Sequence, residues 1–209
     1  EFLDFIISFA QQSFLNEYLF FQSNDEIKIV NNLKTKIETD KNISEIEVSI
    51  LACYLPLNLS EIISSKLVNY SAKNNLFNDL IQIQIKDPLT EVELKKSINS
   101  FDTISDNISK KVRDQYEENP YPRWKYTNIT PKNNFLSILN NNIYPNKIIS
   151  NSNNLKRDIL IAGCGTGQQL VSKASYENSD ILAVDLSLSS LSFAKRKMQE
   201  LNLSNIEFI

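Results

Sequence analysis

Apolar and polar positions follow two different periods along this chain. Through the first 118 residues apolar side chains recur every three or four positions, whereas from Asp158 they form short continuous runs separated by amphipathic stretches. Residues 1–22 are apolar around most of a helical circumference and predict a helix buried on several sides. Ser23 with Glu26 has the form of a capping box, and Ile27, Val30, Leu33 and Ile37 follow at helical spacing. Ser44 with Glu47 repeats that signal ahead of Ile46, Ile50 and Leu51, until Pro56 breaks it. Ser60 is expected to cap a short helix through Leu67, and Thr90 with Glu93 another after Asp87-Pro88. The run Leu80-Ile81-Gln82-Ile83-Gln84-Ile85 alternates like a strand, but its helical surroundings favour helix. A final helix is predicted over 104–118, stopping before Pro120.

Beyond Asp158 the pattern predicts strand over 159–162, helix over 168–176, strand over 181–185, an amphipathic helix over 188–201 capped by Ser187, and a third strand beginning over 205–209. This βαβαβ alternation predicts half of a parallel, Rossmann-like sheet. The expected fold class is α/β, with an all-helical module over 1–118, an aromatic and proline-bearing loop and linker over 119–157, and the sheet-forming unit over 158–209. The helical module suits a packing scaffold, a set of peptide-binding repeats or a lid, with the scaffold favoured; it shows no clean 34-residue repeat. The linker is rich in asparagine, with one helix expected over 133–141.

Composition narrows the chemistry. The chain is 42% hydrophobic, enough for a packed core, and its net charge of −3 leaves no basic field to collect nucleic acid, so no nucleic-acid partner is expected. Histidine is absent, which removes Ser-His and Cys-His nucleophile systems and the usual imidazole metal ligands. Cys53 and Cys164 are too few for a disulfide framework or a cysteine zinc site, so no metal is expected and the location is read as cytoplasmic. The apolar stretch 2–21 is interrupted by Asp4, Gln11, Gln12, Asn16 and Glu17 and has no basic flank, so neither a membrane span nor a signal peptide is expected. The chain opens on Glu1, has its only methionine at Met198 and closes at Ile209 in an apolar run, and it reads as a fragment of a longer protein.

All three glycines fall in one nonapeptide, Ile159-Leu160-Ile161-Ala162-Gly163-Cys164-Gly165-Thr166-Gly167. Glycine is needed where φ is positive or where a group must approach closer than a Cβ allows, and strand, glycine loop and helix N-terminus together cradle nucleotide-like ligands. The dinucleotide fingerprint G-x-G-x-x-G needs a third glycine at position 168, which is glutamine, and no Gly-Lys-Ser/Thr follows for a P-loop. The spacing G-x-G-x-G fits a smaller adenosine-bearing ligand without phosphates. Asp185, 22 positions beyond Gly163, is placed to accept hydrogen bonds from both ribose hydroxyls.

The stretch Gln115-Tyr116-Glu117-Glu118-Asn119-Pro120-Tyr121-Pro122-Arg123-Trp124 joins two tyrosines, an arginine, two carboxylates and the only tryptophan to two prolines that favour an extended backbone. It either covers a hydrophobic edge or lines the ligand site, with Tyr116 and Tyr121 stacking and Arg123 or Glu117 making polar contacts.

The nonapeptide, followed by Ala183-Val184-Asp185-Leu186-Ser187 and a helix holding Leu191, Ala194 and Lys195, resembles the first two motifs of class I S-adenosylmethionine-dependent methyltransferases. The stretches 12–18 and 115–124 resemble a bacterial subgroup in which such a domain follows helical, often tetratricopeptide, repeats; that implies upstream repeats. The resemblance implies S-adenosyl-L-methionine as the small-molecule cofactor, bound by Gly163, Cys164, Gly165, Thr166 and Gly167 and by Asp185 and Leu186, with Tyr116, Tyr121 and Arg123 lining the site. It implies methyl transfer to an acceptor that the sequence leaves open, a protein among the candidates, with no catalytic residue assignable. One departure stands out: the family carries an acid two places before the first glycine, to orient the methionine moiety, and here that position is Ile161. Either Glu117 or Glu118 supplies the missing charge, or backbone carbonyls hold the cofactor's amino group. Two rival readings remain, a helical interaction module with a non-catalytic methyltransferase-like platform, and an aminopropyltransferase-type enzyme. Cys164 is read as a small packing side chain and not as a nucleophile, since no histidine can activate it.

Overall fold

The computed structural model describes residues 1–99, 105–129, 131–148 and 156–209, and the chain divides into two compact units, Glu1–Val92 and Glu93–Ile209. It is a mixture of helix and sheet, with one three-stranded parallel sheet. Among the described residues no helix is long and apolar enough to cross a membrane.

The first unit is helical. Helix α1 (Phe2–Leu15) buries Ile6, Ile7, Ala10 and Phe14. It stops well short of residue 22 because Glu17 and Tyr18 both take positive φ, 53° and 54°, turning the chain back. Its apolar circumference is buried on one side only: Phe2, Phe5 and Phe9 remain exposed. Helix α2 (Asn24–Thr39) begins with the expected capping box, Glu26 N donating to Ser23 Oγ and Ser23 N to Glu26 Oε2. The second expected box does not form. Ser44 makes no side-chain cap bond to α3 (Glu45–Ala52), and Glu47 instead takes the ammonium of Lys36 on α2. After Pro56 a single 3₁₀ turn (Leu57–Leu59) leads to α4 (Glu61–Leu67), capped by Ser60.

Helix α5 (Asn75–Ile81) runs through a π turn (Gln82–Lys86) into α6 (Asp87–Lys95), so the alternating stretch is helical. Its two polar members part company: Gln82 is exposed, whereas Gln84 is fully buried, donating to the carbonyls of Ala10 and Ala52 and accepting from Leu57 N. One side chain thus bonds three backbone groups from three different segments in the core. Thr90 and Glu93 do not cap a new helix. Thr90 lies inside α6 and donates to the Lys86 carbonyl, while Glu93 pairs with Lys96. Pro88 is tolerated within the helix because the π turn before it, where Asp87 N reaches Gln82 O, widens the backbone at that point.

In the second unit α7 (Asn107–Glu118) is capped by Asp106; Ile104, expected to open this helix, lies outside the described residues. The Tyr121–Pro122 peptide is cis. Helix α8 (Phe135–Asn142) follows, then β1 (Arg157–Ala162), α9 (Gln168–Ala174), β2 (Ser179–Val184), α10 (Leu188–Glu200) and β3 (Ile206–Phe208). The strands are parallel in the order β1-β2-β3, with Ala162 opposite Val184 and Ala183 opposite Phe208. Leu170, Ala183, Leu191, Ala194 and Met198 form the centre of its core with Trp124 and Ile98. Full burial of an aliphatic side chain such as Leu191 contributes about 1.5–3 kcal/mol.

The boundary between units lies earlier than residue 118. Residues past Val92 face the sheet-bearing unit: Lys95 pairs with Glu117 on α7, and Ile98 enters the core around α10.

Candidate functional site

The glycine loop joins β1 to α9 by folding over the end of β2, with Gly163 N and Cys164 N both donating to Val184 O, at 2.8 and 3.1 Å. All three glycines have positive φ, but their reasons separate. A Cβ on Gly167 would stand 2.7 Å from Ala194 Cβ, so this glycine lets α9 start against α10. Gly163 and Gly165 meet nothing within 4 Å of where a Cβ would project, and both line a cleft of about 510 Å³ at the carboxyl ends of β1 and β2. That volume is in the range of small-molecule sites.

Asp185 follows β2 and lines the same cleft. Its Oδ2 accepts from Gly165 N at 2.8 Å and its Oδ1 from Ser187 N at 3.0 Å, so the carboxylate is fixed by two backbone donors. A carboxylate has about four lone-pair sites, so acceptor capacity remains on both oxygens. Ser187 in turn caps α10, accepting from Ser190 N at 3.0 Å.

Tyr116 and Tyr121 line the cleft together with Leu186, as do Val112 and Arg113 of α7, two residues beyond those expected from the sequence. The available signal was the four-residue spacing of Ile108, Val112 and Tyr116, an apolar stripe on an otherwise charged helix that is more than a third exposed at each position.

The remaining expected site residues lie elsewhere. Thr166 is buried; its Oγ1 donates to the Pro122 carbonyl at 2.7 Å and its own carbonyl accepts from Trp124 Nε1 at 3.0 Å. It therefore fastens the aromatic loop to the glycine loop. Trp124 is a core residue, edge-on to Phe193 and covered by the Lys197 ammonium at 4.7 Å. Arg123 sits over the Phe193 ring at 5.8 Å and does not line the cleft, because the chain after Pro122 turns toward α10. Within the aromatic loop, Trp124 and Arg123 pack at the core while Tyr121 lines the cleft.

Cys164 and Gly167 also lie off the cleft lining. Burial, followed by the nearby Asp185 charge, pushes the Cys164 thiol up to about 12, which removes it as a nucleophile near neutral pH. Ile161 is partly buried, packs against the core and does not line the cleft.

Glu117 does not face the cleft either. It closes the N-terminus of α10, accepting from Ser189 N at 2.8 Å and from the Lys95 ammonium at 2.8 Å. Burial raises its carboxyl, but the Lys95 and Ser189 hydrogen bonds and the Lys95 charge together outweigh that and hold it below its ordinary value. Beside it, Ser187 Oγ donates to the Tyr116 carbonyl at 2.9 Å, so the end of α7 is tied to the loop after β2. Glu118 is exposed and outside the cleft lining.

A wider depression of about 650 Å³ lies between Asp158, Asp180 and Glu207 toward the amino-terminal ends of the strands, away from the glycine loop. Its charged walls are acidic, and no backbone N–H cradle opens into it, so the smaller cleft is the candidate site. Among the described residues no group of three or more Cys, Asp or Glu is placed to hold a metal ion.

No protein-family model matches this chain, and no curated protein matches it significantly.

Proposed function

We propose that this chain carries the cofactor-binding half of a class I S-adenosylmethionine-dependent methyltransferase, a Rossmann-like βαβαβ unit preceded by a helical module. The observation that carries the reading is Asp185. A carboxylate after the second strand, held by Gly165 N and Ser187 N, faces a cleft opened by the first two glycines of the preceding loop. The acceptor capacity left on that carboxylate suits a ribose diol, and the absence of a Cβ at Gly163 and Gly165 leaves room for a flat nucleoside edge.

S-adenosylmethionine, when bound, supplies a methyl group already activated on a sulfonium, so the site needs no nucleophilic side chain. The chain's own residues position and enclose. Asp185 accepts from the ribose hydroxyls, and Gly163 and Gly165 let the backbone approach. Tyr116 and Tyr121 offer aromatic faces to the adenine or to the cation. Glu117, Ser187 and Thr166 hold α7 and the aromatic loop as the cleft wall and so limit water. The buried free thiols of Cys53 and Cys164 suit a reducing, cytoplasmic setting.

The rival reading, a platform that has lost catalysis, draws on Ile161, which packs in the core where the family places an acid. Calorimetric titration of the intact protein with S-adenosylhomocysteine separates the two from a third outcome. Binding with turnover of S-adenosylmethionine supports the enzyme, binding without turnover the platform, and no binding at millimolar ligand overturns the cofactor reading altogether.

A further inference from the structure

We propose that Arg113 of α7 is the carboxylate receptor of the cleft, so that the site selects a nucleoside bearing an amino-acid carboxylate over the bare nucleoside; this rests on the cofactor reading above. Two charged side chains line the cleft among the described residues, Asp185 on the wall formed by the strand ends and Arg113 on the wall formed by α7. Between them the lining is uncharged, aromatic or aliphatic at Tyr116, Tyr121, Val112 and Val184, with hydroxyl side chains at Ser187 and Ser190. A ligand with only adenine and ribose engages Asp185 and the apolar lining and leaves the three guanidinium N–H donors not taken by Asp114 unused. A ligand that also carries a carboxylate engages both walls.

The guanidinium is presented in a defined way. Its Nε and Nη2 both donate to Asp114 Oδ1, at 2.9 and 2.6 Å, an orienting contact that engages two of its five N–H donors. The other three, two of them on Nη1, remain for a forked bond to a carboxylate. Arg113 is 39% exposed on its side chain, as a residue at the mouth of a cleft is, and α7 is held by the Ser187–Tyr116 and Glu117–Ser189 bonds. Neither Ile161, Glu117 nor Glu118 reaches the cleft lining to orient the amino-acid end of a ligand. Arg113 instead orients that end through its carboxylate, from the other wall.

The test compares two probes, S-adenosylhomocysteine and 5′-deoxy-5′-methylthioadenosine, which shares the adenosine and thioether but lacks the amino-acid group. Both are titrated into the intact protein as wild type, Arg113→Gln and Arg113→Lys. The expected result is a loss of roughly tenfold or more for S-adenosylhomocysteine in Arg113→Gln, partial recovery in Arg113→Lys, and methylthioadenosine affinity unchanged to within about twofold. Retained methylthioadenosine binding also shows that the variant cleft is folded. Equal weakening of both probes, or an unchanged S-adenosylhomocysteine affinity, overturns the assignment of Arg113 and leaves the cofactor reading standing. If the wild type binds neither probe, the cofactor reading fails and the role of Arg113 with it.

Discussion

Gly165 N donates to Asp185 Oδ2 at 2.8 Å, tying the middle glycine of the loop after β1 to the residue that follows β2. One carboxylate therefore shapes the loop and presents acceptors to the cleft. Asp185→Asn keeps one acceptor but turns an NH₂ group toward either Gly165 N or Ser187 N. We predict a loss of about 1–3 kcal/mol in stability and at least roughly tenfold in S-adenosylhomocysteine affinity, measured by thermal unfolding and calorimetry.

Gly165 and Gly167 separate ligand binding from folding. Gly167→Ala places a methyl 2.7 Å from Ala194 Cβ at φ 80°, so it meets both a backbone penalty and a clash. A destabilisation of about 2–4 kcal/mol follows, visible in denaturant unfolding. Gly165→Ala meets no clash and costs only about 1–2 kcal/mol for its left-handed φ of 52°. Because its methyl projects where the cleft opens, its effect on ligand affinity is the larger of the two.

Acid sensitivity is expected at Glu117. Its carboxyl lies below the ordinary value in the folded chain, so its stabilising effect is present above the unfolded pKa and is lost as pH falls through the lowered folded value. Glu117→Gln costs about 1 kcal/mol near neutral pH, the low end for a charge-assisted bond because the side chain is 36% exposed. The difference between wild type and variant shrinks as pH drops below about 4.5. Chemical unfolding across pH 3–7 checks this, and a pH-independent difference contradicts the ionised cap.

Thiol chemistry gives a further check. Cys53, raised to about 11 by burial, and Cys164, raised to about 12, are both buried. Iodoacetamide at about pH 8 is expected to leave both unmodified in the native protein and to label both after denaturation. Rapid native labelling of Cys164 would show a more open loop than the one described.

Features set by local chemistry were the legible ones. The Ser23–Glu26 box, the Ser60 and Ser187 caps and the strand–loop–helix around the glycines depend on residues within a few positions of one another. Ser44 and Glu47 carry the same local signal and fail, because Lys36 on another helix competes for the carboxylate. Arg113 lines the cleft where Arg123 was expected, for a similar reason. Proximity to the tyrosines in sequence favoured Arg123, but the direction of the chain after Pro122 sends it to Phe193, while the face of α7 turned to the strand ends brings Arg113 to the cleft. In sequence Gln84 is one polar position of an alternation, and only the packing of α1, α3 and the 3₁₀ turn around it explains a polar side chain in the core.

The central claim, that Asp185 receives the ribose of an adenosine-bearing cofactor, is tested most directly by a crystal structure of the intact protein with S-adenosylhomocysteine. The account predicts the ligand in the cleft between α7 and the glycine loop, with both ribose hydroxyls at about 2.5–2.8 Å from the Asp185 carboxylate. Density for the ligand elsewhere, or a ribose turned away from Asp185, would contradict it.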